Sequence, residues 1–395
     1  MDDLPDDLIQ FILSKMQNIK DIVASKCVSK RWKESLPYIT SLYFPRKLFK
    51  PRCNVAQIDR AILQVISSIV KLETLIIYTR FSNDGLFSWL SSAGIHIRHL
   101  ELRLDNVTEL GKKLKNPSKI DALALAKNLE SLKLWAIHLR APPKWNGFPK
   151  LTSLEVVGLA CENSAVTAAL KACPNLKNLL LLGCDGVTSL EISLPSLEHC
   201  KLDFIDSGNC SLTVQSPRIQ SLDVQGCARI RIPNSNFLQA LSISNNFGIV
   251  STVEVEKLCA LENLSLRGAQ WRWEAISTLL NLASEVKHLY MKIEFTGEHN
   301  DLLPFPEIDF AQFFRSHPKL RKFDLHGAMF AALCQQDLET LDPYFSIPCL
   351  EELIVTIRSP LNAEQKICTL ESFAKYGKNL KSLVIRILQM KSNHC

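Results

Sequence analysis

Thirteen short segments of this chain share one hexad: Leu, Ile or Val, two variable positions, then Leu, Phe or Cys, one variable position and a last residue that is Leu, Ile, Val or Met. They read LETLII from Leu72, IRHLEL from Ile97, LESLKL from Leu129, LTSLEV from Leu151, LKNLLL from Leu176, LEHCKL from Leu197 and IQSLDV from Ile219. LQALSI from Leu238, LENLSL from Leu261, VKHLYM from Val286, LRKFDL from Leu320, LEELIV from Leu350 and LKSLVI from Leu380 complete the series. With the first at Leu72 and the last at Leu380, the twelve intervals average about 26 residues. Side chains alternate along a strand, so the fourth and sixth positions share one face, and the first turns in with them where the strand begins. Each hexad therefore predicts a short strand with three inward apolar residues.

That period lies within the roughly 20–29 residues of leucine-rich repeats. It predicts an α/β fold: a curved parallel sheet stacked as a solenoid, with helices and loops outside. Three or four buried aliphatic side chains per unit contribute about 5–12 kcal/mol, while ordering some 26 backbones costs on the order of 25–50 kcal/mol. One unit cannot stand alone, and stability must be collective. The stretch CPNLKNLLLLGCDGVTSLEI resembles the cysteine-containing class of these repeats. Cys184, Cys227, Asn246, Ala269 and Ala328 occupy the ninth position, where a small or amide side chain suits the turn after the strand. The cysteines read as packing residues, since a buried thiol behaves as a small hydrophobe. Intervals after Ile97, Val286, Leu320 and Leu350 are longer, about 30–34 residues. Extra length goes into loops, which carry function.

Composition excludes several function classes. With 47% hydrophobic residues, a protein of 395 residues can bury a large core. Its net charge of +6 is mild, and no stretch interleaves dense Lys/Arg with aromatics as a nucleic-acid surface does. The acidic start MDDLPDD is unlike a leader, and no apolar run approaches a membrane span. The thirteen cysteines include no C-x-x-C pair, so thiols in a reducing compartment are expected, in the cytoplasm and/or nucleus. Sequons at Asn106, Asn209 and Asn263 are then accidental. Nucleotide, nucleophile-elbow and metalloprotease motifs are absent. His96 with His99, and His394 with Cys395, lack a third ligand. No catalytic residue, cofactor or metal is expected, and neither nucleic acid nor membrane as a partner.

The first forty or so residues form a different pattern. LPDDLIQFILSKM sets Leu8, Ile12 and Met16 along one helical face with Ile9 and Leu13 beside them, and Pro5 suits the first turn. IKDIVASKCV presents Ile19, Ile22, Val23 and Cys27, and SKRWKESLPYI offers Trp32 and Leu36. Three such short helices carry more apolar surface than they can cover internally, so the unit needs a partner. Lys26, Lys30, Arg31 and Lys33 read as a solvated helix face.

From Leu4 to about Phe44 this segment strongly resembles an F-box, through its Leu-Pro start, the ILSKM end of its first helix and the VSKRW of its third. The resemblance implies docking onto a Skp-type adaptor and, through it, a cullin and a RING protein. It places Leu4, Pro5, Leu8, Ile9, Ile12, Leu13, Val28 and Trp32 at or just beneath the adaptor interface. The C-terminal IPCLEELIVTI and LESFAKYGKNLKSLVIRI are similar to the corresponding region of plant F-box proteins with leucine-rich repeats. Between F-box and repeats, VAQIDRAILQVISSIVKLE carries a helical stripe of Val55, Ile58, Ile62 and Ile69 that can cap the array. The expected organisation is an F-box over 1–45, a capping linker helix over 46–71 and about thirteen repeats over 72–395.

Two functions fit. One is a non-catalytic substrate receptor of a Skp–cullin–F-box ubiquitin ligase; the other is a leucine-rich-repeat interaction protein without ligase-linked recruitment. A small-molecule co-receptor variant has no positive signal in the sequence. The unknown protein substrate is expected on the inner face, where the fifth and seventh hexad positions point. There Trp135, Val157, Leu180 and Leu182 form an apolar cluster suited to anchoring a partner, unless the loop from Asn106 to Asn128 covers it. Arg267, Tyr290 and Lys292 then offer basic and aromatic groups for an acidic or phosphorylated segment.

Overall fold

A computed structural model describes residues 4–104, 120–205, 209–298, 301, 303–334, 338, 341–342, 344–357 and 363–387. Asn106, most of the loop to Asn128, the start Met1 to Asp3, and the tail with His394 and Cys395 lie outside them. The chain divides into two compact units, Met1–Gly186 and Val187–Cys395.

In the first unit, helices α1 (Asp6–Lys15), α2 (Ile19–Ser25) and α3 (Lys30–Ser35) precede strand β1 (Ser41–Phe44). Helix α1 starts on Pro5, whose missing N–H is no loss at a helix start, and Asp6 and Asp7 complement its dipole. The side chain of Asn18 caps α2 and that of Ser29 caps α3. The unit then alternates α4 (Val55–Ile66), β2 (Thr74–Ile77), α5 (Asn83–Ala93), β3 (His99–Arg103), β4 (Ser131–Leu139), β5 (Ser153–Cys161), α6 (Asn163–Lys171) and β6 (Asn178–Asp185). Its six strands form a parallel ladder in sequence order. Asn54 and Gln57 make a capping box at α4, which buries Ile58, Ile62 and Ile66; Val55 and Ile69 are only half-buried.

The second unit holds β7 (Ser189–Ile192), β8 (His199–Phe204), β9 (Cys210–Val214), β10 (Ser221–Gln225), β11 (Cys227–Ile232), β12 (Ala240–Val250) and β13 (Thr252–Val255). It continues with β14 (Asn263–Trp271), α7 (Trp273–Leu282), β15 (His288–Thr296), α8 (Phe310–Ser316), β16 (Lys322–His326), α9 (Gly327–Leu333), β17 (Glu352–Ile357), α10 (Ala363–Tyr376) and β18 (Ser382–Ile387). Eight of these strands, from β8 to β18, pair in parallel as one ladder.

All thirteen hexads are strands, and each strand begins two residues after its hexad does. In the first twelve, the first, fourth and sixth residues are all buried, as in Leu72, Leu75 and Ile77 or Leu261, Leu264 and Leu266. The last differs. Leu380 is half-buried and Leu383 and Ile385 are exposed, for no further strand follows β18 among the described residues. Each core is completed by its neighbour, so the final one stays open.

Two features depart from the sequence expectation. The parallel sheet starts one strand early, because β1 pairs with β2 through Leu42 to Leu75 and Phe44 to Ile77. Its residues Ile39, Leu42 and Phe44 are buried like a hexad's. The outside of the short middle repeats is also not helix or plain loop. There β7, β9, β11 and β13 form a second, four-stranded parallel sheet. Repeats of about 19–23 residues leave little backbone outside the inner strand; a strand covers that length at about 3.3 Å per residue against 1.5 Å for a helix. Gly226 makes the corner between β10 and β11 at φ 83°, where a Cβ would lie 2.2 Å from the Phe204 carbonyl oxygen.

Cys184 and Cys227 are buried at the predicted ninth position, and the described cysteines are free thiols. Burial pushes the Cys161 and Cys173 thiols up to about 12, which keeps them unreactive. Asn246 is a correction: it is exposed, and Asn245 is the buried amide. Asn245 donates to the Cys227 carbonyl at 3.3 Å and accepts from the Phe247 and Gly248 N–H groups. Ala269 is likewise exposed and Ala328 half-buried.

Candidate functional site

The helical start of the chain has two sets of apolar residues. Ile9 and Leu13 of α1, Ile19 and Ile22 of α2, Trp32 of α3 and Leu36 are buried and make the small core. Leu8, Phe11 and Ile12 lie on the opposite side of α1, 37–59% exposed. Val23 and Val28 are exposed as well. Of the residues expected at or beneath an adaptor interface, Ile9, Leu13 and Trp32 are buried, Leu8, Ile12, Val28 and Pro5 are exposed and Leu4 is half-buried. Met16 is the half-buried C-cap of α1.

Phe11 and Val23 are additions. A face with Leu8 and Ile12 at i and i+4 also contains i+3, which is Phe11, so the period held the signal. The Lys15 ammonium lies 5.0 Å from the Phe11 ring centroid. Arg31 binds Asp6 at 2.6 Å, tying α3 to the start of α1. The indole Nε1 of Trp32 is buried without a hydrogen-bond acceptor among the described residues.

On the inner face of the first unit, Trp135, Val157 and Leu182 are register partners across β4, β5 and β6, as are Lys133, Glu155 and Leu180. The expected cluster is assembled, but all four of its members are half-buried rather than exposed. Trp135 is held from one side: its Nε1–H donates to Glu101 Oε1 at 3.0 Å, which also accepts from the Tyr78 hydroxyl at 2.5 Å. Burial and the Glu101 carboxylate hold the Tyr78 hydroxyl well above its ordinary pKa. Arg103 and Lys133 lie 5.6 and 5.0 Å from the Trp135 ring, and Lys133 reaches Glu155 at 2.9 Å.

On the inner face of the second unit, Arg267 and Lys292 are register partners on β14 and β15, and Ser265 pairs with Tyr290. One Nη of Arg267 donates to Ser242 Oγ at 3.0 Å and stands 4.0 Å from Asp223. Tyr290 packs edge-on to His326 at 5.6 Å, and burial followed by the Asp324 charge raises its pKa. Burial also raises the carboxyl of Asp324. A depression of about 440 Å³ runs over Ser221, Asp223, Ser242, Ser265, Tyr290 and Asp324. Small serines leave this space between longer neighbours.

A second cavity of about 590 Å³ is mainly apolar, with Ile293, Phe295, Phe305 and Phe330 in its wall. A third, of about 320 Å³, is polar and contains Arg267 and Lys292. No group of three or more metal-ligating side chains occurs among the described residues, and none of their helices is long and apolar enough to cross a membrane. His96 and His99 are exposed.

Comparison with known proteins matches both the helical start and the repeats. The model of the F-box domain matches residues 1–36, and that of "FBD-associated F-box protein At5g56370, LRR repeats" matches residues 86–296. The chain is 52% identical over its whole length to "F-box protein At1g10780" of Arabidopsis thaliana, covering 94% of that protein. It is 23% identical to "Putative FBD-associated F-box protein At5g56560" of the same plant, over 76% of this chain and 79% of the relative. "F-box/LRR-repeat protein At1g67190" is 24% identical, over 58% of this chain and 55% of the relative. With helical start, repeat strands and relatives in agreement, the chain belongs to the family of F-box proteins with leucine-rich repeats.

Proposed function

We propose that this chain is a substrate-receptor subunit of a Skp–cullin–F-box ubiquitin ligase, working in the cytoplasm or nucleus. The F-box helices bind the Skp-type adaptor, and the inner faces of the repeats hold the target protein. The chain performs no chemistry itself; it supplies proximity, and a partner enzyme transfers ubiquitin.

The observation that carries this reading is the exposure of Leu8, Phe11, Ile12, Val23 and Val28 around a helical core that is already complete. Fully burying one such side chain is worth about 1.5–3 kcal/mol. Apolar residues in that number have no role in holding the three helices together and fit a docking surface. Target binding is assigned to Trp135, Val157, Leu180 and Leu182 on one unit and to Arg267, Tyr290 and Lys292 on the other, since these side chains occupy the strand positions facing away from the core.

Affinity purification of the full-length protein, with cullin activation and the proteasome blocked, tests the proposal. Adaptor, cullin and a set of further proteins are expected together, and Trp135→Ala with Leu182→Asp should thin that set while adaptor and cullin stay. Recovery of adaptor without cullin would instead favour a leucine-rich-repeat interaction protein outside the ligase.

A further inference from the structure

The polar cavity of about 320 Å³ on the second unit is bounded by Gln225, Ser244, Asn246, Arg267, Lys292 and Glu294, with Gly268 and Ala269. Its size is at the lower end of ligand pockets, about 300–1,000 Å³. Ser244 is 4% exposed, and its hydroxyl has no hydrogen-bond partner among the described residues. The Nε of Arg267 is buried in the same way, although another nitrogen of that guanidinium is held by Ser242. Lys292, in register beside Arg267, is exposed. Buried donors are nearly always paired in folded proteins, so two orphans on residues that line one cavity require an explanation.

An occupant that accepts hydrogen bonds supplies it. A guanidinium N–H and an ammonium can only donate, a hydroxyl can donate, and the amides of Gln225 and Asn246 add further N–H groups. Among the lining residues two cations and one carboxylate, Glu294, leave a single excess positive charge, and Asp223, 4.0 Å from Arg267, is itself paired with Lys201 at 3.0 Å. That balance matches a monoanion better than a phosphate ester, which carries about −1.5 to −2 at neutral pH.

We infer that this cavity binds one carboxylate of a partner protein, either that of an acidic side group or the C-terminal one, through Ser244, Arg267 Nε and Lys292. The inference rests on the reading that the repeats hold a target, and it narrows the target's chemistry. Ser244, Gln225 and Asn246 join the site; Tyr290 does not line it.

The test uses the full-length protein co-expressed with a Skp-type adaptor and four immobilised degenerate peptide libraries of one length. Three are C-terminally amidated, with a fixed central Glu, Gln or phosphoserine; the fourth has central Gln and a free C-terminal carboxylate. Retention at least five-fold above the amidated Gln library is expected for the Glu library or the free-carboxylate library, and which of the two responds identifies the source. Lys292→Gln, at an exposed position, and Arg267→Gln should remove the preference, and Ser244→Ala should reduce it at least two-fold, with thermal melting of the Lys292 variant unchanged. Equal retention of all libraries overturns the inference, as does a preference that survives both Lys292→Gln and Ser244→Ala. A phosphoserine library retained above both carboxylate libraries overturns the single-charge assignment. Adaptor co-purification is read on the same samples: its loss with the carboxylate preference intact sinks the ligase reading alone, and its presence without that preference sinks the cavity alone.

Discussion

Trp135 and Glu101 are joined by a 3.0 Å hydrogen bond between inner-face residues of adjacent parallel strands, and Glu101 takes the Tyr78 hydroxyl with the same oxygen. One carboxylate thus satisfies two aromatic donors and fixes the orientation of the indole. Glu101→Ala leaves both donors without that acceptor at a partly buried place. It should lower stability by about 1–3 kcal/mol, more than Trp135→Phe, which removes one donor only. In a double-mutant cycle read by urea denaturation the pair should couple by at least about 0.5 kcal/mol. Strict additivity would mean that the hydrogen bond does not hold the ring.

Neighbouring residues of α1 should respond in opposite ways. Leu8→Asp changes an exposed side chain, so adaptor retention in a pull-down should be lost while the melting transition stays within about 0.5 kcal/mol. Ile9→Ala empties part of the helical core and should destabilise by about 2–5 kcal/mol. Undiminished adaptor binding by the Leu8 variant would remove the basis of the F-box docking surface.

A cut after Leu261 removes β14 and bares Leu241 and Ile243 of β12, the register partners of Leu264 and Leu266. Size-exclusion chromatography should show aggregate, because an internal repeat has no polar end. Removal of the last five residues alone should leave a normal melt. A soluble internal fragment that melts cooperatively would contradict collective stability.

Stability should fall on mild acidification through His317. Its Nδ1 lies 2.8 Å from the Phe313 carbonyl oxygen and its Nε2 3.1 Å from that of Leu280, joining the ends of α8 and α7. Burial is the largest effect and depresses its pKa, opposed by those two hydrogen bonds. A depressed folded value means that the group's contribution is present above the unfolded value of about 6.5 and is lost as pH falls through the folded one. Urea midpoints measured from pH 7.5 to 5 should drop, and His317→Gln should flatten that part of the profile. An unchanged slope in the variant would assign the drop to other groups.

The repeat strands could be read from the sequence because the apolar hexad states a strand's period and its core face together. From Leu72 to Leu350 the inward residues are those named by the pattern; in α1 the sequence named Leu8, Ile9, Ile12 and Leu13 together and did not separate the buried Ile9 and Leu13 from the exposed Leu8 and Ile12. The limits were equally local. Phe44 ends a fourteenth hexad but is no aliphatic residue, so β1 went unread; Asn245 and Asn246 differ by one position that periodicity does not resolve in a turn. Exposure of Phe11 and Val23, half-burial of Trp135, and the second sheet from β7 to β13 depend on which neighbouring strand or helix occupies the adjoining space. The open core at Leu383 and Ile385, and the cavity where Ser244 meets Arg267 Nε, belong to the same class. A hexad specifies which way its own side chains point, whereas burial, pairing and empty volume are properties of several repeats at once, and tertiary structure alone decides them.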